Sequence, residues 1–484
     1  MDLAIPKIDI GSLGPELILS IAAIFILMFT VFLPKDKKDP SAYMGLLGII
    51  FAFVSTIFLW GNSRYAFNDM ILVDNFGLFF NIIFLISAGM SILMSINYMK
   101  EEEMDHGEFY ALILFATVGM MFMAVGTNLI TVFLGLETMS ISIYILAGFL
   151  RERNRSNESA LKYLLLGAFS SAFLLYGIAL IYGATGTTDL KGISEFLSKT
   201  TYLQDPMLLA GMGLLVVGFG FKIATVPFHM WTPDVYEGAP TSVTAFMSVG
   251  VKAAAFAAFV RIFSHSLWDL QPDWNQILWI LSVITMTVGN IAAIAQTNIK
   301  RMLAYSSIAH AGYIMMGMVA ANELGTSSIL FYLLAYAFMN LGAFAVVIVF
   351  EKKEEENLLI DDYSGMGFKY PALALLMSVF LFSLAGIPPT AGFVGKFYIF
   401  SAAVKAGYIW LAIIGVMNSL VSVYYYLRVT VMMYMNEPKV ELKGLSWSPS
   451  MVIALIIAVI GTLLIGIFPS PYLDLARQSV SLFM

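Results

Sequence analysis

Residues 207–230 read MLLAGMGLLVVGFGFKIATVPFHM. From Met207 to Phe221 every residue is apolar or glycine. Crossing the hydrocarbon core of a bilayer takes about 20 such residues in an α-helix. Lys222 then interrupts the run, and Pro227 follows, with Pro233 just beyond. Proline removes a backbone hydrogen bond and clashes with the carbonyl four residues back. Backbone freed at membrane depth is tolerated only beside protein or a water-filled cavity. A span that carries a lysine and then breaks belongs inside a membrane bundle with polar groups within it.

Working outward, similar apolar segments fill the chain. About 14 spans are expected, over 14–33, 41–61, 75–98, 108–126, 128–149, 159–183, 207–230, 241–263, 274–296, 301–321, 325–350, 371–404, 408–434 and 451–469. Of 484 residues, 60% are hydrophobic and 12% charged, with a mean hydropathy of +0.85. A soluble protein carries about twice that charged fraction. The expected fold is therefore an all-α polytopic membrane protein. Only Lys7 precedes the first span as a basic residue and no small-residue cleavage site closes it, so it is expected to be retained. The connections 184–206, 351–369 and 435–450 are the longest, and a short interfacial helix is expected between Asp189 and Ser198.

A second broken span is expected at 371–404, where Gly386, Pro388 and Pro389 fall together. The breaks thus lie in the seventh and twelfth spans. Each is the fourth of five spans, in 108–263 and 274–434 respectively. Five is odd, so the second set would be inverted relative to the first, as in inverted-repeat transporters. Residues 1–107 supply three spans before these repeats and 451–484 the last one.

Lysine and arginine are unevenly shared between alternate loops. One set holds Lys35, Lys37, Lys38, Lys100, Arg151, Arg153, Arg155, Lys300, Arg301, Lys352, Lys353, Lys369, Arg428, Lys439 and Lys443. The other holds Arg64, Lys191, Lys199, Lys405 and, at a span's edge, Arg261. The richer side is expected to be cytoplasmic, which places both termini outside the cytoplasm.

Ionisable residues within spans are costly and point to function. Glu137 sits mid-span, where a glutamate is too short to reach either surface. Lys222 stands beside a break, Lys252 is central among small residues, and Lys396 follows the second break. Each could instead be a purely structural hydrogen-bonding group. Lys162 is close enough to the loop Arg151–Arg155 to reach it, and His310 could be a packing residue. As a set, a buried carboxylate and several buried lysines suit a proton relay. Burial disfavours the charged form, and a nearby opposite charge restores it. The absence of cysteine excludes thiolate-held clusters, disulfides and cysteine nucleophiles. Four histidines are too dispersed for an obvious metal site. A net charge of −6 argues against nucleic acid as a partner. No phosphate-binding glycine loop or catalytic triad is present.

The stretches ESALKYLLLGAFSSAFLLYG (158–177), FKIATVPFHMWTPDVYEGAPTSVTAF (221–246), NIKRMLAYSSIAHAGY (298–313) and SLAGIPPTAGFVGKFYIF (383–400) resemble the antiporter-like membrane subunits of complex I. The likeness extends over essentially the whole chain and is greatest to the N-type subunits of bacterial NADH–quinone oxidoreductase. It implies a proton channel in which Glu137 and Lys222 form a coupled pair, Lys252 is the central relay and Lys396 leads to the exit. Lys162 and His310 match further polar positions of the family. Lysine at 396, where M-type subunits usually carry glutamate, and the lack of a long lateral helix after the last span both agree with the N type. The resemblance implies no cofactor on this chain, with NADH, flavin, iron–sulfur clusters and quinone on partner subunits. The expected partners are the M, K and J subunits, the lateral helix of subunit L and the bilayer. A multisubunit sodium/proton antiporter shares the same motifs, and a structural scaffold of the membrane arm is the remaining alternative.

Overall fold

The computed structural model describes residues 9–34, 39–199, 205–351, 357–438 and 447–480. Lys7, Lys35, Lys37, Lys38, Lys352, Lys353, Lys439 and Lys443 lie outside the described residues.

The helices start where capping residues stand. Helices α1 (Gly14–Thr30) and α2 (Asp39–Leu59) lead into a small antiparallel hairpin, Arg64–Ala66 with Ile71–Val73. Asp74 then accepts from the Gly77 amide at 2.8 Å and opens α3 (Asn75–Glu101). Such a cap satisfies an amide that has no partner inside the helix. After α4 (Gly107–Val125), Asn128 caps α5 (Leu129–Ala147) through the Ile130 amide. Helix α6 (Asn154–Thr185) and the short amphipathic α7 (Leu190–Lys199) follow. The latter falls where a short interfacial helix is expected from sequence.

The seventh span is broken. Helix α8 (Pro206–Ile223) ends with Ala224 in the left-handed region, and the helix resumes only at α9 (Thr232–Gly238). The eighth is continuous in course but not in pitch: α10 (Thr241–Phe246), a π-helical turn Met247–Val251, α11 (Lys252–Arg261) and a second π-helical turn Ile262–Ser266. Every residue from 241 to 263 is buried. Then come α12 (Gln271–Ile294), α13 (Ile299–Ala320), α14 (Glu323–Phe350) and the single turn α15 (Met366–Lys369). The twelfth span is α16 (Pro371–Ala385) and α17 (Ala391–Lys405), parted by the Gly386–Thr390 break. Helices α18 (Ile409–Met435), α19 (Pro449–Ile467) and α20 (Ser470–Val480) complete the described chain.

Thirteen described helical stretches are long and apolar enough to cross a membrane, and α16 with α17 cover the other expected crossing. Neighbouring helices pack closely, α4 on α5, α6 on α8, α12 on α13 and α14 on α17. A Cβ at Gly119 of α4 would lie 2.6 Å from the Gly135 carbonyl of α5, so glycine at both positions lets these backbones touch. The core runs through α10–α11, α13 and α14, while α1, α2, α6 and α18 leave broad apolar faces uncovered.

Loops of the same expected side meet each other. Thr127 donates its amide to Met70 and Leu190 donates its amide to Thr127, joining three loops of the lysine-poor side. Asn298 pairs with Leu359 on the lysine-rich side.

Candidate functional site

Lys222 lies in the last turn of α8, where the helix stops. Its side chain is buried and donates to Ser140 Oγ at 2.8 Å and to the Tyr144 hydroxyl at 3.3 Å, both on α5. The ammonium also stands over the rings of Tyr144, Tyr163 and Phe221, at 5.4, 5.6 and 5.7 Å. Ring faces carry partial negative charge and attract a cation.

Glu137 is one turn before Ser140 on α5. It is only partly buried, beside the exposed Leu134, Thr138, Ile141 and Ile145. Ser171 of α6 donates to its carboxylate at 2.5 Å. Glu137 and Lys222 are not in direct ion-pair contact: each holds its own hydroxyl partner, and Ser140 stands on the intervening turn.

Lys252 opens α11 directly after the π-helical turn. Its ammonium donates to the Ser307 carbonyl at 2.6 Å and to Ser307 Oγ at 2.5 Å, on α13. With 2% of its surface exposed it cannot snorkel to either interface. Tyr236 and Tyr336 lie beside Ser307, close enough to act on it but without well-formed hydrogen bonds. One turn on, His310 Nδ1 shares a hydrogen bond with the Tyr332 hydroxyl at 2.6 Å, and Nε2 with Tyr426 at 3.1 Å. Tyr426 also bonds Ser306. Ser306, Ser307, His310 and Tyr313 thus line up along α13 at helical spacing.

Lys396 reaches back across the second break. It donates to the Leu384 and Ala385 carbonyls at 3.0 and 2.9 Å and to Ser419 Oγ at 2.9 Å. These carbonyls end α16, where the helix dipole is negative and welcomes a cation. The ammonium stands 4.9 Å from the centre of the Tyr313 ring. Tyr313 in turn accepts from Asn290, which also accepts from Tyr425.

Lys162 is elsewhere. It pairs with Glu158 at 2.6 Å and Asp234 at 2.7 Å in a surface cluster that adds Arg301, Glu237 and Arg155. Burial pushes the Asp234 carboxyl up, but hydrogen bonds from Lys162 and Arg301 outweigh it and hold the group below the usual carboxylate range.

Sequence reasoning missed two features. Arg261, expected at a span's edge, is buried and makes a bidentate pair with Asp74 at 2.9 and 3.0 Å, its Nε donating to the Ala124 carbonyl at 2.8 Å. Lys300, expected in a loop, is buried and donates to the Ala239 carbonyl at 2.8 Å. Both lie at the ends of apolar runs, where only the packing of other loops over them decides burial. Among the described residues, no group of three or more histidine, aspartate or glutamate side chains could hold a metal ion.

The family model described as "NADH:quinone oxidoreductase/Mrp antiporter, TM" matches residues 126–422, the part that contains every residue above from Glu137 to Lys396. The chain belongs to this family. NADH-quinone oxidoreductase subunit N of Trichlorobacter lovleyi is 54% identical over 98% of this chain and 98% of its own length. Subunit N of Chloroflexus aggregans is 45% identical over 99% and 98%. A chain in the structure of respiratory complex I from Thermus thermophilus with bound aureothin superimposes with a TM-score of 0.83 at 34% identity, over 96% of this chain and 99% of that one. A chain of the Mrp complex from Dietzia sp. has a TM-score of 0.85 at 19% identity, over 98% of each chain, a likeness of fold alone. The two-break, lysine-lined interior is thus the form this NADH:quinone oxidoreductase/Mrp antiporter chain takes.

Proposed function

We propose that this chain is a proton-translocating membrane-arm subunit of an NADH–quinone oxidoreductase. The observation that carries the reading is the buried line on α13, where Lys252 ends on Ser307 and His310 bridges Tyr332 and Tyr426. Each group can give up and regain a proton or pass one through a hydroxyl. Lys222 supplies one end of the line and Lys396 the other. Glu137, facing partly out of the chain, is suited to sense a neighbouring subunit while acting on Lys222.

Redox chemistry belongs to partner subunits in this reading. NADH, flavin, iron–sulfur clusters and quinone are bound there, in keeping with a chain that has no cysteine. The M, K and J subunits and the lateral helix of L are the proposed neighbours. The proposed location is a bacterial inner membrane with both termini in the periplasm. The repeats 108–263 and 274–434 would form two half-channels.

Lys252→Met tests the function. It removes the exchangeable proton but keeps a long apolar stem. Proton pumping should fall by roughly tenfold or more, the scale of losing a positioned acid–base group. Quinone reduction should fall with it, in a complex that assembles normally on native gels. Unchanged pumping by that assembled complex would refute the relay. Purification of the chain together with NADH-oxidising subunits distinguishes this reading from a free-standing sodium/proton antiporter.

A further inference from the structure

Lys252 is enclosed, so its proton must arrive from somewhere. Along its own segment, Thr241, Thr244, Ser248 and Lys252 recur three or four residues apart and so share one helix face. This polar stripe spans roughly 16 Å at 1.5 Å per residue. On α14, Tyr336 and Asn340 are one turn apart, and Glu351 follows eleven residues later, about three turns on the same face. The two stripes are joined directly at Ser248 and, through Tyr98 of α3, at the outer end. Asn340 Nδ2 donates to Ser248 Oγ at 2.6 Å. At the outer end, the Thr241 amide donates to the Tyr98 hydroxyl at 3.3 Å, and Tyr98 donates to Glu351 Oε1 at 3.4 Å. At the inner end Lys252 meets Ser307, with Tyr336 beside it.

The protein leaves this file incompletely bonded. Among the described residues, Glu351 Oε2, Thr241 Oγ1 and Asn340 Oδ1 are buried without a hydrogen-bond partner, in residues at most 7% exposed. A buried polar atom without a partner is costly, and an internal water is the usual remedy. Orphaned acceptors and a hydroxyl at the outer end and at the level of Ser248 mark places for water along one line.

We propose that protons reach Lys252 from the side of the lysine-rich loops through a hydrated file that starts at Glu351 and passes Tyr98, Thr241 and the Ser248–Asn340 pair. This rests on the relay role of Lys252. Glu351 ends α14 on that side. Among the described residues, Tyr98, Tyr363, and Arg153 paired with Glu102 stand around it, and Lys300 lies near Thr241 on the Ala239 carbonyl. In each turnover the Glu351 carboxylic acid gives its proton to the file. Every water or hydroxyl accepts one proton and donates another. The neutral Lys252 amine takes up the last, and the Glu351 carboxylate regains a proton from solution.

The test uses the intact complex in liposomes. Glu351→Gln keeps the volume and still accepts from Tyr98, so a structural role would survive it. Pumping should fall about tenfold with normal assembly, and Glu351→Asp should restore at least half. Ser248→Ala, which removes one hydroxyl, should slow pumping about threefold and enlarge the slowing in D2O. Pumping by assembled Glu351→Gln within twofold of the parent overturns the route. Should that variant fail to assemble, Ser248→Ala at parental rate in both H2O and D2O overturns it. Lys252→Met is run alongside. If it too pumps normally, the relay itself has failed; if it is inactive while Glu351→Gln is active, only the route has.

Discussion

At the residue scale, the environment of Lys222 distinguishes carrying a charge from changing one. Two hydroxyls and three aromatic rings surround the ammonium, and among the described residues no carboxylate touches it. A fixed cation would need little more than this. A group that releases its proton needs a form that can be neutral, and arginine has none at accessible pH. Lys222→Arg is therefore expected to assemble but to pump at least about tenfold more slowly, with Glu137→Gln similarly impaired. The planar guanidinium is also larger, so Lys222→Ala run in parallel separates misfit from lost proton exchange. Pumping at the parental rate by the arginine variant would leave Lys222 as an electrostatic anchor. The candidate lysines were legible because charge inside an apolar run is conspicuous. Lys162 was read less well, since a lysine near a span's end can lie either way. Its place was decided by Asp234, more than 70 residues away in sequence.

At the scale of elements, the breaks were legible and their geometry was not. Proline marks where a helix must stop, so the interruptions at Pro227 and Pro388 could be read directly. That Lys396 would fold back onto the carbonyls of α16 depends on Gly386. This residue has φ +87, and a Cβ there would lie 3.0 Å from Lys396 Cδ. Only glycine takes that conformation freely. Gly386→Ala should push Lys396 off the Leu384 and Ala385 carbonyls, lowering pumping severalfold with little loss of assembly. An unaltered rate would mean that the seat of Lys396 is adaptable. The π-helical turns around Lys252 have no sequence signature, and the hairpin after α2 was missed because its strands are only three residues each. The Asp74–Arg261 pair shows how elements are tied: it joins the cap of α3 to the end of α11 and, through Ala124, to α4. Arg261→Met would leave Asp74 buried and unpaired, at a cost of about 3–5 kcal/mol. Thermal stability of the assembled complex should drop clearly, and less so when Asp74→Asn is added. Equal stability of the single variant and the parent would show that water replaces the pair.

At the scale of the whole molecule, the uneven loops predict how the bundle sits. Span order alone requires alternate loops to face opposite ways. The structure agrees: the Lys162, Asp234, Arg301, Glu237 and Arg155 cluster joins loops of the lysine-rich set, while Asp74, Arg261, Thr127 and Leu190 meet among loops of the other. Two-sidedness is thus a property of the fold, but which side faces the cytoplasm follows from positive charge resisting export across the membrane. The native chain has no cysteine, so single introduced cysteines report without background. Glu152 and Asn62 are exposed in loops of opposite sets. Asn62→Cys should react with an impermeant thiol reagent added to intact cells, and Glu152→Cys should react only after the membrane is opened. Inverted vesicles should give the reverse pattern. Labelling of Glu152→Cys in intact cells would turn the molecule over. It would also move the proposed Glu351 uptake route to the periplasm, because Glu351 and Arg153 share that face. A pump of the proposed polarity draws its protons from the cytoplasm, so the labelling pattern and the direction of transport must agree.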